Sequence, residues 1–166
     1  TLTMKDAMIL AHEHYGIGKD GEELLEFTNR KIVEFYSGQV QLKPGVREFL
    51  EHCRANGTKM CIASATEKDM LKIVVKHCEI EQYFPEIFSC GDLGVGKDRP
   101  DIYLQAQEYL GAATEDIWVF EDSLVAIETA TKIGFHTVAI YDKFNFGQAE
   151  MRRIADKYIP EGETLA

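Results

Sequence analysis

The fold of this chain is decided by the stretch Ile117-Trp118-Val119-Phe120-Glu121-Asp122-Ser123, in which four apolar residues are followed by two acids and a hydroxyl. An apolar run of this length predicts a buried β-strand, and the helical pattern after it predicts a strand-to-helix turn at the acids. Adjacent carboxylates repel each other unless a cation lies between them and a ligand. Because open α/β sheets bind ligands at the carboxyl ends of their strands, Glu121 and Asp122 are candidate ligands of a divalent metal ion.

Strand and helix patterns alternate on both sides of this stretch. Alternation of this kind predicts βαβ units, and therefore a mostly parallel sheet with right-handed crossovers. The predicted fold class is α/β, a three-layer Rossmann-like parallel sheet, with Met60, Trp118 and Phe120 in its core. We predict strands over 58–64, 86–90, 117–120 and 136–140, and helices over 44–56, 68–77, 101–110, 124–133 and 148–157.

The first forty residues have a different pattern. Apolar residues recur at helical spacing over 3–15 and again over 20–39, which predicts two helices and no strand. The segment Lys43-Pro44-Gly45 then changes the character of the chain, because Pro44 suits the first turn of a new helix. We therefore predict a helical region over 1–41 and an α/β region over 42–166.

The composition excludes several classes of function. The chain has 166 residues, 18 of them basic and 28 acidic, for a formal net charge of −10. Binding to nucleic acid needs a concentrated positive surface, and no basic cluster is present. No apolar run approaches the roughly 20 residues that cross a bilayer, so we expect no membrane insertion. Four cysteines without a CxxC pair, and no secretory leader, predict reduced thiols in a cytoplasmic protein.

Two further residues lie in turns that a parallel sheet would bring near the acids. Ser64 ends a predicted strand and precedes a helix, so its hydroxyl and the following backbone N–H groups are suited to holding an anion. The alternative role of Ser64 is an ordinary helix cap. Lys97 lies in a loop with glycines at 94 and 96, which allow close approach of backbone and ligand. The alternative for Lys97 is a solvated surface lysine.

Taken together, a hydroxyl, a cation and an acid pair in three successive loops have the chemistry of a phosphate site. A transferring phosphoryl group carries charge on three oxygens, which hydrogen-bond donors, an ammonium group and a metal ion stabilise. Oxygen ligands with room for water favour Mg²⁺ over Zn²⁺.

The chain resembles the haloacid dehalogenase superfamily, and within it the β-phosphoglucomutase-like phosphatases with a helical cap. By this resemblance Ser64 and Ala65 bind the phosphoryl group, Lys97 neutralises it, and Glu121 and Asp122 hold Mg²⁺. Residues 1–41 would be a remnant of the cap that closes over the site. The segments that carry the resemblance are Leu42-Lys43-Pro44-Gly45-Val46, Met60-Cys61-Ile62-Ala63-Ser64-Ala65-Thr66, Gly96-Lys97, Pro100-Asp101-Ile102-Tyr103-Leu104 and Val119-Phe120-Glu121-Asp122-Ser123.

The sequence departs from this family in one respect. The family opens with a strand that ends in an Asp-x-Asp motif, whose first aspartate attacks phosphorus and whose second is the general acid and base. No Asp-x-Asp occurs in these 166 residues. The resemblance therefore implies a parent enzyme that is a Mg²⁺-dependent phosphatase acting through an aspartyl-phosphate intermediate, and a chain that is inactive by itself.

The expected substrate is a small phosphorylated metabolite, a sugar phosphate, and the expected oligomeric state is a monomer. Two alternatives remain open. One is phosphoryl transfer of the β-phosphoglucomutase type, in which the group returns to a sugar instead of passing to water. The other is a non-catalytic module that binds phosphate or a partner.

Overall fold

The computed structural model describes residues 4–165, and its helices and strands alternate after residue 46. The predicted start of the first helix at Thr3 lies outside the described residues. No helix within 4–165 is long and apolar enough to cross a membrane. The helices are α1 Met4–Tyr15, α2 Gly21–Gly38, α3 Val46–Ala55, α4 Lys68–His77, α5 Cys90–Leu93, α6 Asp101–Leu110, α7 Leu124–Lys132 and α8 Gln148–Ile154. The strands are β1 Ile62–Ser64, β2 Ile87–Ser89, β3 Trp118–Glu121, β4 His136–Ile140 and β5 Lys157–Ile159.

All the strand pairs are parallel, as the alternation predicted, and the α/β class is confirmed. The strands form two sheets, one of β1 and β2 and the other in the order β3-β4-β5. Ser64 is in register with Ser89 in the first sheet, and Glu121 with Ala139 in the second. Within residues 4–165, β1 and β3 are each paired on one side only, so the expected continuous sheet is in two parts.

Several predicted boundaries are wrong. The predicted strands over 58–64 and 86–90 shorten to three residues each, because β1 and β2 pair along only three positions. The last helix was predicted to reach Lys157, but it ends at Ile154 and Lys157 begins β5. The Asp156 carboxylate accepts a hydrogen bond from the Thr137 backbone N–H at 2.8 Å, which holds the chain beside the start of β4. Held there, residues 157–159 pair with β4 as the strand β5 instead of extending the helix.

The burial predicted for β3 is also wrong at two positions. The side chains of Trp118 and Phe120 are 46% and 39% exposed, because β3 has a neighbouring strand only on its β4 side within the described chain. Trp118 stacks on His136 with ring centroids 4.5 Å apart, and Phe120 contacts Phe49 at 5.1 Å. Met60 is partly buried and packs against a core cluster whose buried residues are Leu50, Leu71, Val75, Cys78, Ile80, Tyr83 and Ile87.

The core divides into three buried clusters, all in the α/β region. The second cluster joins the two sheets, since Ala63 of β1, Phe88 of β2 and Val119 of β3 all pack against its buried residues. In contrast, α1 and α2 bury none of their residues fully; they pack against each other, and α2 also packs against α4. The buried members of the second cluster are Cys90, Ile102, Tyr103, Ile117, Ala126, Ala130 and Phe135.

Candidate active site

The acid pair lies where β3 passes into α7. Glu121 is the last residue of β3, Asp122 follows it, and Ser123 is the residue before the first turn of α7. The turn is held in place by the helix after it, because Ala126 and Ile127 of α7 are fully buried and α7 packs against β3 and β4. Glu121 and Asp122 therefore lie at the carboxyl edge of the three-stranded sheet, as the sequence predicted.

Lys97 forms an ion pair with Glu121. The ammonium of Lys97 contacts Glu121 Oε1, and the two side chains are 18% and 9% exposed. The loop that carries Lys97 leaves α5 through Gly94 in the left-handed conformation (φ 66°) and turns where the Arg99 N–H donates to the Gly96 carbonyl at 3.2 Å. The structure thus brings together two residues that are 24 positions apart in the sequence. Because both side chains are largely buried, loss of either one would leave the charge of the other buried and unpaired, at a large cost in stability.

The carboxylate of Asp122 is half-buried and has no hydrogen-bond or ion-pair partner among the described residues. Its oxygens, together with Glu121 Oε2, are the hard oxygen donors that suit Mg²⁺. No group of three or more acidic, cysteine or histidine side chains within 4–165 has metal-binding geometry. The acid pair therefore fits part of a Mg²⁺ coordination shell, with the remaining ligands coming from water, substrate or other residues.

Ser64 ends β1, and its hydroxyl oxygen accepts a hydrogen bond from the Thr66 N–H at 3.1 Å. It is not the cap of α4, because that helix begins at Lys68 and is preceded by Glu67. A hydroxyl has one donor and two acceptor positions. Only an acceptor position of Ser64 is used within the described residues, which leaves its O–H available to donate to an anion. Ala65, the next residue, is exposed in the same turn.

β1 and β3 belong to different sheets, but residues near the carboxyl ends of both strands pack against the same core cluster. Ala63, immediately before Ser64, and Val119, two residues before Glu121, both pack against the second cluster. Each strand is parallel to its partner in its own sheet, and Ser64 and Glu121 are the last residues of β1 and β3. The candidate residues therefore occupy two turns, a hydroxyl turn on one sheet and a charged turn on the other, whose strands pack on a shared core cluster.

Sequence reasoning missed Ser89, which occupies in β2 the position that Ser64 occupies in β1. Ser89 is 1% exposed, its hydroxyl donates to the Thr66 carbonyl at 2.9 Å, and it accepts from the Gly91 N–H at 3.1 Å. The signal in the sequence was a serine near the end of a predicted strand, the same position that Ser64 has in the strand before it.

The cysteines give no sign of catalysis. All four thiols are free, as expected. Burial raises the pKa of the Cys61 thiol to about 11, and burial also raises the pKa of the Cys90 thiol. A thiol must ionise to act as a nucleophile, so these environments suit packing instead.

Comparison with known proteins identifies the family of the chain. A family model of haloacid dehalogenase-like hydrolases matches residues 4–134. The phosphorylated carbohydrates phosphatase of Thermotoga maritima is 30% identical over 131 residues, which cover 78% of this chain and 61% of that protein. The CbbY protein of Rhodobacter capsulatus is 27% identical over 150 residues, covering 86% and 66% of the two chains.

Among solved structures, CbbY from Rhodobacter sphaeroides in complex with phosphate superposes with a TM-score of 0.81 at 19% identity. The superposition covers 96% of this chain and 73% of that one, and at this identity it bears on the fold alone. The chain spans two-thirds or less of the length of the curated relatives named above. The family match extends over most of the described residues, and the chain belongs to the haloacid dehalogenase-like hydrolases.

Proposed function

We propose that this chain forms most of a Mg²⁺-dependent phosphatase that acts on a small phosphorylated metabolite, a sugar phosphate. The observation that carries the proposal is the largely buried Lys97–Glu121 pair with the unpartnered Asp122 carboxylate beside it. A buried cation next to two carboxylates suits a ligand that itself carries negative charge and binds through a metal ion. Membership of the hydrolase family supports the same conclusion.

Each residue has a distinct role in this proposal. The Lys97 ammonium faces the phosphoryl oxygens and offsets their charge, and its contact with Glu121 holds it in place before substrate arrives. The Ser64 O–H donates to a phosphoryl oxygen, since its oxygen already accepts from the Thr66 N–H, and the backbone N–H of Ala65 binds the same phosphoryl group. Glu121 and Asp122 would hold Mg²⁺. When bound, Mg²⁺ supplies positive charge that stabilises the transferring group.

The nucleophile lies outside residues 1–166, in an Asp-x-Asp segment of the full-length protein. Its first aspartate attacks phosphorus while the bond to the leaving oxygen breaks, and the second aspartate protonates that oxygen. Water then hydrolyses the aspartyl phosphate. The open edges of β1 and β3, which face no strand within 4–165, support the insertion of a strand that carries this motif. The exposure of Trp118 and Phe120 has the same explanation.

We also propose the division of the chain into a partial helical cap over 1–41 and a catalytic core over 42–166. The absence of fully buried residues in α1 and α2 supports it, because part of a larger cap would leave apolar surface for its missing helices. A cytoplasmic location is supported by the four free cysteines.

The proposal is tested on the full-length protein with an aryl phosphate and a panel of sugar phosphates. We expect release of inorganic phosphate that depends on Mg²⁺ and stops on chelation. Absence of Mg²⁺-dependent release from every compound would contradict the proposal. Conversion of one sugar phosphate into an isomer without phosphate release would indicate the mutase alternative instead.

The metal role of Asp122 is tested by Asp122→Ala. Loss of a metal ligand that stabilises transition-state charge should lower kcat/KM by about 10³-fold and remove saturable dependence on Mg²⁺. The matched control is Asp116→Ala, because Asp116 is an exposed acid near the opposite end of β3. Unchanged Mg²⁺ dependence in Asp122→Ala would exclude Asp122 from the metal site.

A further inference from the structure

The turns that carry the two candidate phosphate ligands are joined by one buried hydroxyl, that of Ser89. It is 1% exposed and ends β2 in register with Ser64 of β1. Serine hydroxyls can hydrogen-bond to backbone groups of their own helix or turn. Ser89 makes one such local bond and a second bond to a turn 23 residues away.

The first bond reaches the Ser64 turn. The Ser89 hydroxyl donates to the Thr66 carbonyl at 2.9 Å, and the Thr66 N–H in turn donates to the Ser64 hydroxyl at 3.1 Å. The peptide groups of Thr66 are therefore held on both sides, by Ser89 and by Ser64. This arrangement fixes the Ser64 hydroxyl oxygen and directs its remaining O–H away from the Thr66 amide.

The second bond reaches the segment that leads to Lys97. The Gly91 N–H donates to the Ser89 hydroxyl at 3.1 Å at the start of α5. The Gly94 N–H donates to the Gly91 carbonyl at 3.3 Å, and the Val95 N–H donates to the Cys90 carbonyl at 3.4 Å. Gly91 is thus tied to Gly94, and Cys90 to Val95, two residues before Lys97, so the short helix α5 connects Ser89 to the loop that carries Lys97.

The contact between the two segments is close as well as hydrogen-bonded. A Cβ atom added at Gly91 would lie 2.5 and 2.6 Å from the carboxylate oxygens of Glu67, the residue after Thr66. Only glycine allows this approach without a shift of the Glu67 side chain. The Ser64 turn and the start of α5 are thus packed against each other around Ser89.

We propose that Ser89 is a positioning residue that locks the Ser64 turn to the segment carrying Lys97, so that both groups face one phosphoryl group in a fixed arrangement. The inference rests on the proposed function and adds to it a residue that never touches the substrate. Its effect on catalysis passes through Ser64 and Lys97. Small displacements of such groups are costly because phosphoryl transfer depends on pre-set geometry.

The test compares Ser89→Ala with Thr137→Val in the full-length protein. Thr137 is also fully buried, but its hydroxyl has no hydrogen-bond partner among the described residues, so Thr137→Val removes a buried hydroxyl without breaking a link. Inorganic phosphate is titrated calorimetrically in the presence of Mg²⁺ at a temperature at which both variants are fully folded. Under that condition a loss of stability alone does not change the dissociation constant.

We expect Ser89→Ala to weaken phosphate binding about 10-fold, and Thr137→Val to leave it within about twofold of wild type. Ser89→Thr, which keeps the hydroxyl, should recover most of the affinity. Wild-type affinity in Ser89→Ala, with or without a lower melting temperature, would mean that Ser89 only caps α5. That result would overturn this inference and leave the proposed function standing. Absence of phosphate binding by the wild type would instead overturn the proposed function and the inference with it.

A double-mutant cycle with Ser64→Ala identifies the route. If Ser89 acts through Ser64, removing Ser89 in the Ser64→Ala background should cost less phosphate affinity than it does in the wild type. Additive losses would show that Ser89 does not act through the Ser64 turn and would contradict this part of the proposal.

Discussion

The carboxyl ends of the two sheets carry polar side chains of different chemistry. At the β1–β2 end two neutral side chains, Ser64 and Ser89, are joined through Thr66 by hydrogen bonds of 3.1 and 2.9 Å. The β3 end is charged, with Glu121 and Lys97 paired at 9% and 18% exposure. A neutral network can lose one hydroxyl at modest cost, whereas a buried ion pair that loses one partner leaves an uncompensated charge. The charged end should therefore govern stability, and the neutral end should govern ligand geometry.

The largest effect should come from breaking the ion pair at the charged end. Lys97→Met should lower the free energy of unfolding by about 3 kcal/mol, because the Glu121 carboxylate is then buried without its cation. Adding Glu121→Gln should recover part of this loss. Chemical denaturation measures both, with Lys132→Met as control, since the Lys132 side chain is 75% exposed. Equal losses for Lys97→Met and Lys132→Met would contradict the contrast between the two ends.

At the neutral end, Ser64→Ala should act on ligand binding more than on stability. Loss of a hydrogen bond to a charged phosphoryl oxygen should weaken phosphate affinity about 10-fold, while the free energy of unfolding should fall by about 1 kcal/mol or less. The control is Ser37→Ala, which removes an exposed hydroxyl that bonds within α2. A large loss of stability with unchanged phosphate affinity would reverse the roles given to the two ends.

The smallest effect concerns the amino end of the three-stranded sheet, which should be less sensitive than its carboxyl end. A hydrogen bond from the Thr137 N–H, and secondarily His136, lower the pKa of Asp156 below its ordinary 3.8. A depressed carboxyl pKa contributes stability above about pH 4 that is lost as the pH falls through the folded-state pKa.

Asp156→Asn should therefore melt about 2 °C below wild type at pH 6, and this difference should shrink below pH 3.8. Asp116→Asn, at an exposed acid without such a bond, serves as the control. A melting difference that stays constant from pH 6 to pH 2.5 would exclude the Asp156 charge as its cause.

Much of the fold was predictable because a helix or strand that buries one face has a clear apolar periodicity in its sequence. The bounds of α4, α6 and β4 agree with the predicted ranges, since each combines a clear period with an end signal such as Gly111. β5 was not predictable, because its pairing depends on a contact between Asp156 and Thr137 across 19 residues. The exposure of Trp118 was missed for a similar reason, since an apolar run reveals strand propensity and not the number of neighbouring strands.

For the candidate site, the sequence identified the acids and Lys97 as residue types suited to phosphate chemistry. It could not identify their pairing, because the contact between Lys97 and Glu121 depends on how α5, α6 and β3 pack. Ser89 was missed because a lone serine carries no signal until its two hydrogen-bond partners are known. Buried polar links of this kind come from tertiary contacts that no local pattern encodes.

The sequence by itself determined the α/β alternation, the strand-to-helix turn at Glu121 and Asp122, and the set of groups that suits a phosphate ligand. Those features follow from local periodicity and side-chain chemistry. Only the tertiary structure decided that the strands form two sheets over one shared core, that Lys97 is neutralised by Glu121, and that Ser89 joins the two turns. The reason is physical: burial and hydrogen-bond partners are set by residues distant in the chain, and they become defined only when the elements pack together.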